Sequence, residues 1–187
     1  MSDEFFFTAL PLVPTPAHTR LLRQVFTTET LAKGEPVLRA GQVCDRLYFV
    51  ERGLLRHYLL HEGKEINTHF ALPGTFATDY ASLTSALPAP LTLEALVPTT
   101  LWTVRRADML ALYAQVPELE AVGRRLLLLL LAQQQQRLEI LLRDSAAARC
   151  RYVQQHQPER RQAVPLRQLA SYLGLSRETL SRVRGAR

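Results

Sequence analysis

The chain has 187 residues, 47% of them hydrophobic, with a formal net charge of +6. That is enough apolar material for a full core with a small second unit beside it, and it excludes a disordered chain. The charge is uneven: residues 1–148 carry 14 Lys and Arg against 15 Asp and Glu, whereas residues 149–187 carry nine Arg against two Glu. A basic block confined to one end is the footprint expected of phosphate contacts. Attachment to a membrane surface would need an aromatic-rich apolar face, which residues 165–187 lack.

Cys44 and Cys150 are too few and too far apart for a disulfide framework, a zinc ribbon or an iron–sulfur cluster, so two reduced thiols are expected. Asp3 and Glu4 precede Phe5 to Phe7, where a signal peptide would carry basic residues. The longest apolar run, Leu126 to Ala132, has seven residues and cannot span a bilayer. A soluble, cytoplasmic protein is the expectation.

In chain order, residues 1–14 read as an irregular arm containing Pro11 and Pro14. Thr15 and Pro16 suit the cap and first turn of a short helix with Leu21, Leu22, Val25 and Phe26 on its apolar face. From Lys33 onward, short apolar or alternating runs (36–39, 47–50, 54–60, 66–71, 91–97, 100–104) are separated by glycines and prolines, the pattern of an antiparallel sandwich or barrel. Residues 87–91, LPAPL, read as a loop.

After Pro117 the period becomes helical. Leu119, Val122, Leu126 and Leu129 mark one face. Leu127, Leu131, Gln134, Leu138 and Leu141, spaced four, three, four, three, mark a second. A helix apolar on two sides needs two partners. One seam is assigned to the chain's own β domain and the other to the same helix of a second subunit, as a parallel coiled coil whose Gln134 fixes register. The competing reading places every leucine in one intrachain core. Residues 155–163, QHQPERRQA, read as a polar hinge.

In the tail, Leu166, Leu169, Ala170 and Leu173 share one helix face, Gly174 breaks the period, Leu175 folds back as a plug and Ser176 caps a second helix burying Leu180 and Val183. Two short helices joined by a tight turn, with long polar side chains on the outer face of the second, form a helix-turn-helix. Arg177, Glu178, Ser181 and Arg182 point outward. A guanidinium makes two bonds to guanine and a carboxylate accepts from the cytosine amine, so Arg177, Glu178 and Arg182 are assigned to base edges, and Ser181 and Arg167 to phosphates. The plainer reading is a solvated face on which Glu178 and Arg182, four apart, pair with each other. One recognition helix touches few bases, so a twofold pair on a palindromic double-stranded DNA operator is expected.

The chain resembles the Crp/Fnr family of bacterial transcription factors from about Thr15 to its end. The resemblance rests on Lys33-Gly34, Ala40-Gly41, Asp45 to Val50 followed by Gly53 and Arg56, Pro73-Gly74-Thr75-Phe76, and Ser176-Arg177-Glu178-Thr179 with Arg182. It implies an α+β chain: a cyclic-nucleotide-binding-like β jelly roll over 1–116, a long dimerisation helix and linker over 117–154, and a helix-turn-helix over 155–187. It also implies base contacts from Arg177, Glu178 and Arg182, and phosphate contacts from Ser176 and Thr179. Family members that bind cyclic AMP carry Phe-x-Gly-Glu and then an Arg before a Ser/Thr-Ala pair. Here the first segment reads Phe76-Ala77-Thr78-Asp79, the later loop ends Pro90-Leu91-Thr92, and no Arg stands between residues 57 and 104. Burying a phosphate without a cation is costly, so cyclic nucleotides are not expected to bind in the familiar way. An effector pocket, if used by another small molecule, is placed at Phe76, Asp79 and Thr92. No catalytic residues, metal or cofactor are assigned. The competing classes are a cupin-like metal enzyme, for which His57, His61 and His69 share strand parity without the required His-x-His, and a ligand-binding module without DNA binding.

Overall fold

Two four-stranded antiparallel sheets face each other across an apolar interior, in a computed structural model that describes residues 15–142 and 145–185. The arm expected over residues 1–14 lies outside the described residues. The first helix, α1 (Pro16–Val25), is capped by Thr15, whose hydroxyl accepts from the His18 N–H at 3.2 Å. The strands are β1 (Thr27–Leu31), β2 (Pro36–Leu38), β3 (Arg46–Arg52), β4 (Leu55–His61), β5 (Lys64–Ala71), β6 (Phe76–Ala77), β7 (Thr92–Ala95) and β8 (Thr99–Arg105). One sheet is ordered β1-β8-β3-β6 and the other β2-β7-β4-β5. The short helix α2 (Tyr80–Ser85) follows β6, and residues 87–91 form the expected connection into β7.

Strand β1 went unread in the sequence. Its TTETL run buries only Leu31, because it lies at the edge of its sheet and pairs with β8 alone. Between the sheets pack Leu31, Leu38, Tyr48, Val50, Leu55, Ala71, Leu93, Ala95 and Leu101.

Helix α3 (Arg106–Gln115) leads into the long helix α4 (Pro117–Leu142). The apolar face of α1, with Leu119 and Val122 of α4, covers Phe49, Phe76 and Trp102 on the outside of the first sheet. The tail holds α5 (Ala146–His156), α6 (Pro158–Ala163), α7 (Leu166–Tyr172) and α8 (Arg177–Gly185). Here the structure corrects the reading of residues 155–163 as a hinge: they are the end of α5 and all of α6. Pro158 starts α6, Glu159 sits in its first turn and Arg160 and Arg161 in its last, the charge order that suits a helix dipole. Helix α5 also packs against α8, so the unit folded around the tail includes residues assigned in sequence to the linker.

Gly53, at φ +98° between β3 and β4, is pressed against β8, where a Cβ would stand 2.6 Å from Thr99 Cα. Gly53→Ala is expected to lower unfolding stability by at least about 2 kcal/mol in urea titration, through left-handed strain plus that backbone clash.

Candidate nucleic-acid interface

The sequence builds the last two helices as expected. Gly174 takes φ +64°, the Leu175 N–H donates to Ala170 O at 2.9 Å, and Leu175 packs onto the tail core, closing α7 with its hydrophobic plug. Ser176 Oγ then accepts from the Thr179 N–H at 3.1 Å and caps α8. Leu169, Ala170, Leu173 and Leu180 are buried, which fixes the opposite face of α8 outward.

On that face Arg177, Glu178, Ser181 and Arg182 are all exposed, and Arg167 is exposed on α7. Ser176 is exposed and Thr179 partly so, their hydroxyls bonded to each other at 3.0 Å. Among the described residues Glu178 and Arg182 form no ion pair with each other. The Glu178 carboxyl is held below its ordinary range, first by its own backbone N–H in the opening turn of α8 and then by Ser176. It therefore stands as an acceptor at neutral pH. Arg149 and Arg160 serve the interior, donating to Leu173 O at 3.0 Å and to the Tyr172 hydroxyl at 3.2 Å, while Arg151 joins the exposed set.

Helix α4 has a buried and an exposed apolar face, but Leu129, assigned in sequence to the inner face, is 51% exposed, and Ile140, left out of it, is buried. Leu119, Val122 and Ile140 are buried against the chain's own body. Leu131 and Leu138 are 55% and 56% exposed, Gln134 is exposed, and Leu127 and Leu141 are half-buried. The exposed stripe also takes in Leu128 and Leu142, which the sequence reading left out. They lie at the same three-and-four spacing, and only the burial of the other face shows on which side of the seam its centre falls.

The residues named for an effector pocket face three different surroundings. Phe76 lies 5.1 Å from Phe49, ring to ring, under α1 and α4 outside the sandwich. Asp79 caps α2 by accepting from the Ser82 N–H at 2.9 Å. Thr92 Oγ1 accepts from the Ala40 N–H at 3.1 Å. The structure does not bring them together, and local segment matching could not show that each already has a structural bond. Ala89, in the loop where the resemblance calls for an arginine, is buried with the interior core.

His57 and His69 are cross-strand partners, buried with their rings 5.1 Å apart, whereas His61 is exposed at the end of β4. Among the described residues no group of three His, Cys, Asp or Glu is placed to hold a metal ion. None of the described helices is long and apolar enough to cross a membrane.

The sequence of residues 28–116 matches the model of the cyclic nucleotide-binding domain. No curated protein sequence matches the chain. Among solved structures, it is similar to the catabolite activator protein of Thermus thermophilus, at 27% identity and TM-score 0.58 over 92% of this chain and 83% of that one. FixK2 from Bradyrhizobium japonicum is similar at 24% identity and TM-score 0.71, over 86% and 83%. A c-di-GMP-responsive global regulator of Xanthomonas campestris is similar at 17% and 0.70, over 89% and 88%. The chain has the Crp/Fnr architecture. A protein assigned to the Crp/Fnr family of transcriptional regulators, from Eubacterium rectale, shares that architecture, at 19% identity and TM-score 0.70 over 94% of this chain and 85% of that one.

Burial drives the His57 pKa down to about 4, and His69 is lowered as well, by burial first and by His57 second. A histidine depressed in the folded state binds its proton more readily when unfolded, so stability falls as pH drops from about 6.5 towards 4. His57 alone corresponds to about 3 kcal/mol across that window. His57→Leu is expected to flatten urea midpoints measured between pH 7 and 4; an unchanged slope refutes the assignment.

Proposed function

We propose that the chain is a homodimeric, sequence-specific DNA-binding regulator of transcription. The observation that carries the proposal is the outer face of α8: Arg177, Glu178, Ser181 and Arg182 stand exposed on a capped helix whose other side is buried. Such a helix fits the major groove, where Arg177 and Arg182 suit guanine and Glu178 suits cytosine. Ser176, Thr179, Ser181 and Arg167 border that face and are assigned to phosphates, with the excess of arginine in the tail supplying the non-specific attraction.

One such helix reads a few base pairs. The leucine stripe on α4 supplies the second copy, since an exposed apolar seam of that length on a soluble helix is an association surface. A twofold axis along α4 would present two reading helices to half-sites about 34 Å apart. The matched domain suggests a ligand inside the sandwich, but the β6–β7 segment carries no arginine, and the interior is packed mainly by aliphatic side chains together with Tyr48. The effector, where one acts, is therefore not a cyclic nucleotide held through its phosphate in the familiar way.

Selection from random duplex DNA is expected to return a palindrome; failure to enrich one removes the proposal. With that operator, Arg182→Ala should weaken binding by about 1 to 3 kcal/mol and relax preference at a single base pair in each half-site. Leu131→Asp with Leu138→Asp should halve the mass in light scattering and abolish operator binding, since two carboxylates cannot be buried unpaired in the seam.

A further inference from the structure

Beside the apolar core around Tyr172, a set of polar contacts joining α7 and α4 to the second sheet centres on Asn67. This residue precedes Thr68, the extra residue of a β-bulge: His57 pairs with His69, but Tyr58 pairs with Asn67. The bulge lets Asn67 face outward, towards the tail, while His69 stays with His57. Asn67 is completely buried. Its Nδ2 donates to Gln168 O at 3.0 Å and to Gln168 Oε1 at 2.7 Å. Its backbone N–H donates to Ser171 Oγ at 3.0 Å, and its carbonyl accepts from Arg137 Nη2 at 2.8 Å. One residue of the sensor sheet thus bonds both to the first helix of the helix-turn-helix and to the long helix α4.

Neighbouring groups reinforce it. Arg56, buried and paired with Glu65 at 2.6 Å and Glu94 at 2.9 Å, also donates to Gln168 Oε1 at 3.2 Å. Ser171 Oγ donates onward to Glu65 O at 3.0 Å. Apolar packing between α7 and the sheet would tolerate small rotations, whereas directional bonds at Gln168 and Ser171, about one turn apart on the same face of α7, select one. Leu169, Leu173, Leu175 and Leu180 pack α7 and α8 into one core, so the rotation chosen for α7 carries the reading face with it.

We infer that Asn67 is the positioning residue that fixes the reading helix relative to α4, and with it the half-site spacing that the dimer accepts. The inference rests on the proposed DNA-reading dimer. Asn67→Asp keeps the shape but turns the donor towards Gln168 O into a second acceptor, and Asn67→Ala removes it. The test measures affinity for the selected palindrome with its half-sites moved apart in single base-pair steps, alongside hydrogen exchange of the α7 amides. Both variants should remain dimers. Affinity at the preferred spacing is expected to fall about tenfold, the advantage over neighbouring spacings to shrink similarly, binding to a lone half-site to stay as it was, and α7 to exchange faster.

An unchanged spacing profile overturns the inference. So does a rise in affinity, which would show that the contact holds the reading helices away from DNA. If the unaltered protein selects no palindrome, the DNA-reading proposal fails by itself, and exchange in α7 then decides: unchanged rates remove the positioning role too. Should the Asn67 variants fail to fold, Gln168→Ala removes the side-chain bond from the tail side and is judged by the same readouts.

Discussion

Three parts of the chain depend on one shared core. Phe70 of the second sheet lies 5.5 Å from the ring of Tyr172, and around that pair close Leu54 and Leu96 from the sandwich, Ile140 from α4 and Val164, Leu169, Leu173 and Leu180 from the tail. Tyr172 is 1% exposed, with the guanidinium carbons of Arg137 and Arg160 5.2 and 5.9 Å from its ring centre. Burying a ring of that size stabilises by about 1.5 to 3 kcal/mol, and a cation on its face adds of the order of 1. The tail is too short to enclose a core of its own, so it borrows one wall from the sheet and another from the long helix. Its orientation is therefore a property of the whole molecule.

Helix α4 can serve two partners only because its halves differ. Near its start, Leu119 and Val122 pack with α1 and α3; near its end, Ile140 enters the tail core. Both contacts use the same side, since residues 119, 122 and 140 fall within about 60° of each other at 3.6 residues per turn. The opposite side keeps Leu128, Leu131, Leu138 and Leu142 open. A leucine-rich helix with a single apolar face would have left no such stripe exposed. This sequence has leucine at six consecutive positions, and any such run wraps the whole circumference.

Legibility followed the range of the interactions involved. The α7–α8 unit was readable because all its determinants lie within twenty residues: the apolar spacing, the Gly174 turn, the Ser176 cap. The strands were readable from alternation and punctuation, apart from β6, only two residues long, and β1, whose buried residue is a lone leucine at the end of a threonine-rich run. The polar residues 155–163 misled because charge on a short exposed helix looks like charge on a hinge. Asn67, Gln168 and Ser171 gave no signal at all: they lie 101 and 104 positions apart, and a polar residue mid-strand is ordinary until its partner arrives from the other end of the chain. Asp79 and Thr92 show the converse, since residues matched by position to a ligand site turned out to hold backbone groups in place.

The same strand that carries Asn67 outward carries His69 inward, and only Thr68 stands between them. Thr68 donates its hydroxyl to His57 O at 3.2 Å, so the bulge is tied to β4 on the side where the two histidines meet. A strand is a stiff element, and packed interiors shift between discrete arrangements rather than deform smoothly. The packing around His57 and His69 and the polar grip on α7 are therefore carried by one strand. In a sandwich filled by Leu55, Leu93 and Leu101, only two residues of β5 separate the interior from the surface that holds α7.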